Sequence, residues 1–325
     1  MNFSFTEEQE DLRGLARKIL DGEADPWPAL CDAGLVGIAL PEAAGGGGFG
    51  MMELGVVLEE IGRHVAPVPL LATAIAGRAL ARAGVSLEGI ADGSTLATFA
   101  IHDPAGADVR HPAAAGERVG VPHGMAADRL VVTAPDGLYC VDADATGVRR
   151  EPATATNGEA QARVAFDDGV PMTRLGGQDA IDALWDDVRA AYAATMAGVL
   201  DAAVRITASY ISEREQFGRP IATFQGATMR LADAYIDVQA ASATAWSAIW
   251  RLSEGVPASD ELAIAAFWAC DAGHRVAHAC QHLHGGMGVD TDYPIHRYFL
   301  WAKAIELALG GATPNLLQID VEAGV

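Results

Sequence analysis

The chain has 325 residues, half of them hydrophobic and a fifth charged, so it is long enough for two or three globular domains. Its 43 acidic residues outnumber its 22 basic ones and give a formal net charge of −21, which argues against a nucleic-acid-binding surface. The sequence shows no signal-peptide core, no apolar run long enough to span a membrane, and four cysteines without metal-site spacing. We therefore expect a soluble, cytoplasmic protein with no nucleic-acid, membrane or metal partner.

The first 92 residues predict an α-helical domain. Four stretches have the apolar spacing of helices, at 6–20, 27–40, 52–65 and 69–84. The first begins with a capping box, in which Thr6 is followed three residues later by Gln9.

Residues 93–178 predict a small β-domain, because the helical period fades there. Short runs rich in β-branched and aromatic residues appear between Gly, Pro and Asp, at 95–101, 129–134, 137–143 and 161–166. This pattern indicates an antiparallel sheet or a small barrel.

From residue 179 to the end the pattern is helical and rich in alanine. A stripe in the middle of this region recurs at steps of three or four residues, and it predicts a helix packed closely inside a bundle. The stripe consists of Met229, Ala232, Ile236, Gln239, Ala243, Trp246 and Trp250.

Three stretches, at 40–63, 212–234 and 280–298, together resemble the acyl-CoA dehydrogenase family in motif, order and spacing. The resemblance implies an α+β fold with an amino-terminal helical domain, a middle β-domain and a carboxy-terminal four-helix bundle. It also implies removal of two hydrogens from the Cα–Cβ bond of an acyl-CoA. In that family a glutamate takes the α-proton, which requires a base about 3 Å away, and FAD accepts the β-hydrogen as hydride.

Three residues of the second stretch match the family's contacts to an FAD held mainly by the neighbouring chain. Arg214 matches an arginine that reaches the pyrophosphate, Phe217 an aromatic residue near the adenosine half, and Gln225 a glutamine on the same route. A guanidinium fork suits phosphate oxygens well. The alternative is a solvated arginine at a helix end.

The third stretch resembles the family's Q-L-H-G-G-type segment, whose backbone approaches the same FAD. His282 stands where the family usually has glutamine, and Gly285 and Gly286 permit a close approach because they lack side chains. A glycine pair that only ends a helix is the alternative.

Two other motifs have simpler interpretations. His274, His278 and His282 are four residues apart, but no cysteine or acid at suitable spacing completes a metal site, so we expect capping and packing roles. The Gly-rich segment 42–50 lacks the Lys-Ser/Thr of a phosphate-binding P-loop and predicts a turn between helices.

The family's catalytic glutamate has no counterpart. Its commoner position falls on Leu309 or Gly310, and its alternative position falls on Val188. Asp187 and Glu306 are near in sequence, but one residue along a helix turns a side chain by about 100°, away from the same site. The expected catalytic set in this chain is therefore empty.

The middle region also lacks the family's Trp-Ile-Thr/Ser flavin-binding stretch and is short. The chain thus resembles the smaller, non-catalytic subunit of actinobacterial heterotetrameric (α2β2) steroid-side-chain acyl-CoA dehydrogenases. That implies a second acyl-CoA dehydrogenase-like subunit with the glutamate and the flavin pocket, a steroid-CoA with a short side chain, and an electron acceptor such as electron-transfer flavoprotein. Two alternatives stay open: a self-sufficient homo-oligomer that uses Asp187 or Glu306, and a flavin-free scaffold.

Overall fold

The computed structural model describes residues 4–22, 24–104, 106 and 116–319. The chain forms two compact units, one from Met1–Leu54 with Pro67–Val188 and the other from Gly55–Ala66 with Arg189–Val325. Along the chain, helices come first, strands second and helices last, so the expected α+β order is confirmed.

The first unit contains helices from the start of the chain: α1 (Glu7–Gly22), α2 (Trp27–Asp32), the first turn of α3 (Met51–His64) and α4 (Leu70–Arg82). The predicted capping box is present, since Gln9 N donates to Thr6 Oγ1 at 3.2 Å and Thr6 N to Gln9 Oε1 at 3.0 Å. The predicted helix at 27–40 is too long. It ends at Asp32, and Gly34 has a left-handed φ of 72°.

The strands of the first unit form two sheets. One has the order β1 (Ala97–Ala100), β3 (Arg129–Ala134), β4 (Gly137–Asp142), β7 (Thr173–Gly176). The other has the order β2 (Glu117–Pro122), β6 (Ala160–Phe166), β5 (Val148–Thr154).

All four predicted β-runs are strands, but β2, β5 and β7 were not predicted. The β1–β3 pair is parallel, whereas the other pairs of these two sheets are antiparallel, so the expectation of an antiparallel sheet or a small barrel did not include this parallel pair. Apolar side chains from both sheets, among them Leu130, Val141 and Val164, form the core of this region.

The second unit is helical. It contains most of α3 and of α5 (Gln178–Glu213), then α6 (Gln225–Ser253), α7 (Ser259–His284), α8 (Ile295–Ala308) and the short α9 (Ala312–Leu316). α6 and α7 pack against each other, and α8 packs on α7. α3 and α5 approach so closely that a Cβ at Gly62 would overlap the Thr195 carbonyl oxygen, and one at Gly198 the Glu59 carbonyl oxygen.

The apolar stripe on α6 does not lie inside the bundle as predicted. Ile236 is 63% exposed and Met229 57% exposed. The buried face consists of Ala234, Val238, Ala241, Ala245, Ala248 and Ile249. Because α6 carries small apolar residues on most of its circumference, its sequence period did not distinguish the inner face from the outer one.

Within the described part of the chain, no helix has the length and apolar character needed to cross a membrane.

Candidate functional site

The segment after α5 is a tight hairpin. Strands β8 (Glu215–Gln216) and β9 (Arg219–Pro220) pair across a two-residue loop of Phe217 and Gly218. Both loop residues have positive φ, 54° and 78°. The left-handed region suits glycine but strains a bulky residue such as phenylalanine. The sequence analysis predicted only helices in this region and so did not predict the hairpin, although a two-residue loop that contains glycine is typical of one.

Phe217 projects into solvent. Its side chain is 94% exposed, and its ring makes a T-shaped contact with the Phe224 ring, with centroids 6.2 Å apart. The Arg219 guanidinium lies over the other aromatic ring, 4.1 Å from the Phe224 centroid. A strained residue that displays a large apolar ring to solvent indicates an interaction outside this chain.

Arg214 follows the last residue of α5 and is exposed. Its backbone is fixed at both ends, since Arg214 N donates to Tyr210 O at 2.8 Å and Ile221 N donates to Arg214 O at 2.9 Å. Its guanidinium has no partner among the described residues. The structure therefore presents this charge on a rigid backbone with its donors available.

Gln225 begins α6 on the same exposed side as Met229, with Gln225 Nε2 3.6 Å from Met229 Sδ. Exposure continues along the helix through Ala232 to Ile236. We call Arg214, Phe217, Gln225, Met229 and Ile236 the open surface.

The end of α7 supplies the second half of the predicted site. Gly285 has a φ of 59°, and both Gly285 and Gly286 are exposed with no atom within 4 Å of where a Cβ would lie. The room beside them is therefore free of this chain's own atoms in the described part. His282 is exposed one turn before the pair, while Gln281 Nε2 donates to Gly288 O and closes the turn.

An aromatic cluster that the sequence analysis missed joins the two halves. Tyr210 stacks on His284 with ring centroids 4.3 Å apart, and Tyr293 meets both rings at 5.9 Å and 5.3 Å. Two signals were available: Tyr210 is one helical turn before Arg214, and His284 precedes the glycine pair. The cluster brings the Arg214 end of α5 to the end of α7.

His284 is buried, and its Nδ1 lies 2.8 Å from the carbonyl oxygen of Cys280. Burial lowers the pKa of His284, so the ring is neutral at pH 7 with its Nδ1–H donating to that carbonyl. Its Nε2 has no hydrogen-bond partner in the described part of the chain, which leaves an acceptor at the centre of the cluster.

A cavity of about 510 Å³ opens beside this cluster. It is lined by Ile206, Ser209, Tyr210, Glu213, Arg214 and Tyr293. Ser209 Oγ donates to Glu213 Oε1 at 2.9 Å. Burial, with Tyr210 and Glu213 nearby, raises the pKa of Tyr293, which stays a neutral donor.

Of the residues at the positions expected for the family's base, Val188 and Leu309 are packed, whereas Gly310 is exposed with no atom within 4 Å of where its Cβ would lie. Val188 is fully buried and Leu309 is 1% exposed. Gly310 and Gly311 both have left-handed φ, 79° and 87°, which form the turn that follows α8.

Asn315 closes that turn. Its Nδ2 donates to Leu309 O and to Gly311 O, each at 2.8 Å, and its Oδ1 accepts from Arg189 Nη2 at 3.2 Å. Arg189 also donates to Gln318. We call residues 309–315 the closed segment, because Leu309 and Asn315 are buried at its ends and these hydrogen bonds close the turn between them, in which Gly310 is exposed.

Neither nearby acid is available as a base. Asp187 is fully buried and accepts from Arg78 Nε at 3.0 Å, Arg78 Nη2 at 3.2 Å and Arg82 Nη2 at 2.6 Å. Glu306 accepts from Lys303 Nζ at 2.7 Å, and His274 Nδ1 is 3.7 Å away.

The three histidines at steps of four do not form one cluster. His274 and His278 have ring centroids 4.5 Å apart, and His278 meets the Phe299 ring edge-on. His282 is exposed at the helix end. No group of three or more His, Cys, Asp or Glu side chains in the described residues is arranged to hold a metal ion.

Comparison with known proteins identifies the architecture. The model of the acyl-CoA dehydrogenase amino-terminal domain matches residues 6–87, and that of the carboxy-terminal domain matches residues 176–319. The chain is 37% identical to acyl-CoA dehydrogenase FadE27 of Mycobacterium tuberculosis, with 99% of this chain and 98% of the relative covered. That alignment spans 370 positions, more than the 325 residues here, so this chain lacks segments that FadE27 has.

Two solved structures share the fold across their length. A variant of the "Tcur3481-Tcur3483 steroid ACAD" matches with a TM-score of 0.90 and 40% identity, covering 96% of each chain. A chain of the "ChsE4-ChsE5 complex from Mycobacterium tuberculosis" matches with a TM-score of 0.91 and 36% identity, covering 98% of each chain.

Proposed function

The chain belongs to the acyl-CoA dehydrogenase family, and from that premise we propose that it is one subunit of a heteromeric, FAD-dependent acyl-CoA dehydrogenase. In this proposal it contributes contacts to the adenosine and pyrophosphate of FAD across a subunit interface. The partner, a second acyl-CoA dehydrogenase-like chain in an α2β2 assembly, supplies the catalytic glutamate and the flavin pocket.

The observation that carries the proposal is the state of Arg214. Its guanidinium is exposed and without a partner among the described residues, on a backbone held by two hydrogen bonds. A rigid cation beside an open glycine pair fits a diphosphate, which needs charge-assisted donors and close backbone approach. Bound FAD would supply the hydride acceptor.

Other residues of the candidate site also fit a bound FAD. Phe217 offers an exposed ring for packing, and Gln225 and His282 offer exposed polar atoms. The neutral His284 has a buried acceptor without a partner beside the cavity at Arg214.

The exposed stripe on α6 supports a partner chain. Met229 and Ile236 lie next to the proposed cofactor contacts on a face that nothing in the described chain covers. Apolar side chains at helical spacing suit packing against another protein surface. Two similar solved structures, the Tcur3481-Tcur3483 protein and the ChsE4-ChsE5 complex, are named by two components each, which supports a heteromeric assembly.

The residues at and near the expected base positions support the proposal that the partner supplies the base. Val188 and Leu309 are buried and apolar, and both nearby acids are held in ion pairs. A self-sufficient enzyme that uses Asp187 or Glu306 is therefore disfavoured, because proximity catalysis requires a free, correctly placed carboxylate.

For the substrate we propose a steroid-CoA with a short side chain, dehydrogenated at Cα–Cβ. The support is the similarity at 40% identity to a protein described as a steroid acyl-CoA dehydrogenase. Reduced flavin must pass its electrons on, and we propose an acceptor such as electron-transfer flavoprotein.

The test is FAD retention by the assembled complex. Arg214→Ala should weaken FAD binding about tenfold to a hundredfold, because a charge-assisted contact contributes about 1.5–3 kcal/mol. The matched control is Arg205→Ala, since Arg205 is also exposed on α5 but pairs with Asp201 at 2.8 Å. Equilibrium FAD titration of both complexes makes the comparison.

An unchanged FAD affinity in Arg214→Ala would contradict the cofactor role. A chain that, purified alone, is fully flavinated and oxidises an acyl-CoA would contradict the heteromeric assignment. Absence of FAD from every assembled form would instead favour the flavin-free scaffold.

A further inference from the structure

A second pocket lies in the first unit, between the Gly-rich turn and α4. It has a volume of about 250 Å³ and is lined by Leu40, Pro41, Phe49, Arg78 and Arg82, among others. It contains none of the residues assigned above to the flavin.

The charges in this pocket do not balance. Arg78 and Arg82 share one buried carboxylate, that of Asp187, so one positive charge is left over. Arg78 Nη1, Arg82 Nε and Arg82 Nη1 have no hydrogen-bond partner among the described residues. Asp187 holds both guanidinium groups in place, while the Arg82 side chain stays 39% exposed.

The turn shapes the pocket but does not donate to it. The backbone N–H groups of residues 45–49 all donate within the loop, for example Gly46 N to Pro41 O at 3.1 Å and Gly48 N to Leu40 O at 2.8 Å. A Cβ at Gly46 would overlap the Leu40 carbonyl oxygen, so glycine is required there. The donors available to a ligand are therefore the two arginines.

We propose that this pocket binds a small monocarboxylate with an apolar ring. One carboxylate balances the single excess charge, and its two oxygens match the forked geometry of guanidinium donors. The walls from Pro41, Phe49 and Leu40 are apolar, which suits a ring attached to the carboxylate. The pocket shares no residue with the proposed flavin contacts, so the proposal does not depend on the proposed function.

One acidic side chain lies at the edge of the pocket. The Glu42 carboxylate adjoins Gly48, a lining residue, with Oε1 3.1 Å from where a Gly48 Cβ would be. Its negative charge opposes an incoming anion.

The experiment is isothermal titration calorimetry of the full chain with benzoate. Benzamide, the neutral molecule of the same shape, is the matched ligand control, and inorganic phosphate tests whether a different oxyanion is preferred. We expect saturable one-to-one binding of benzoate, no heat with benzamide, and weaker binding of phosphate.

Three variants test whether benzoate binds in this pocket. Arg82→Gln should weaken benzoate binding by at least about tenfold, because it removes charge-assisted donors. Glu42→Gln should strengthen binding by removing the opposing charge. Arg149→Gln is the control, since Arg149 is exposed and pairs with Asp167 outside this pocket.

The proposal is overturned by no benzoate binding, by equal binding of benzamide, or by Arg82→Gln and Arg149→Gln having the same effect. Phosphate binding more tightly than benzoate in an Arg82-dependent way would overturn the choice of a carboxylate ligand.

Discussion

The closed segment and the open surface both contain positions singled out by the family resemblance, and they differ in how this chain holds them. In the closed segment, Leu309 and Asn315 are buried, and hydrogen bonds of Asn315 with Leu309, Gly311 and Arg189 hold the backbone, although Gly310 is exposed. At the open surface, Arg214 and Phe217 point into solvent. The difference indicates that the closed segment contributes to the stability of this chain, while the side chains of the open surface contribute little to it. Substitutions in the two regions should therefore differ most in how they change the free energy of unfolding.

The largest loss is expected beside Val188, the other position expected for the base, from Asp187→Asn. The substitution leaves Arg78 and Arg82 without their buried counter-charge, which should lower the free energy of unfolding by about 3–5 kcal/mol. Urea denaturation measures this. Asp167→Asn, which removes an exposed partner of Arg149, should change stability by about 1 kcal/mol or less. Equal effects of the two variants would show that the Asp187 ion pairs are weak.

Asn315→Ala should lower the free energy of unfolding by about 2–3 kcal/mol, because two carbonyl groups and the Arg189 guanidinium lose a buried partner. Gln239→Ala, on the exposed face of α6, should be nearly neutral by the same measurement. A neutral Asn315→Ala would mean that the closed segment is not held by these hydrogen bonds.

Introducing a glutamate at Gly310 should not give the chain acyl-CoA dehydrogenase activity. Gly310→Glu forces a left-handed φ of 79° on a side-chain-bearing residue, so we expect about 1–2 kcal/mol of destabilisation. It should create no acyl-CoA dehydrogenation in the chain alone. Gly226→Glu, at a helical position without positive φ, is the control and should not destabilise. Activity of Gly310→Glu in the chain alone would contradict the assignment of the flavin pocket to the partner.

The smallest effect on stability is expected from Ile236→Glu on the open surface. Because Ile236 is 63% exposed, the free energy of unfolding of the isolated chain should change by about 0.5 kcal/mol or less. The same change should weaken assembly with the partner, measured by sedimentation of the mixed chains. Ile249→Glu places the charge on the buried face of α6 and should unfold the chain instead. Normal assembly of Ile236→Glu would show that the partner docks elsewhere.

Local signals in the sequence predicted much of the fold. The capping box at Thr6 formed with both hydrogen bonds, and four short β-runs became strands. Both features depend on residues that are close together in the sequence, so the sequence is enough to predict them. The helix predicted at 27–40 was wrong beyond Asp32, since its apolar residues serve a turn with Gly34 at positive φ.

The candidate site was predictable only in part. Motif spacing singled out Arg214, Phe217 and the glycine pair, but it did not show that Tyr210, His284 and Tyr293 connect them. Those three rings meet because the end of α5, the end of α7 and the segment before α8 converge. Contacts between residues that are far apart in the sequence do not produce a periodic pattern from which they could be predicted.

The sequence by itself determined the family and the order of helices and strands, because both depend on residue identity and spacing. Only the tertiary structure decided which way side chains face. It turned the α6 stripe outward, tied Asp187 to two arginines, and left Arg214 without a partner in the described chain. The physical reason is that burial and charge pairing are settled by whichever distant groups the packed helices bring together, and an alanine-rich helix can pack on either face.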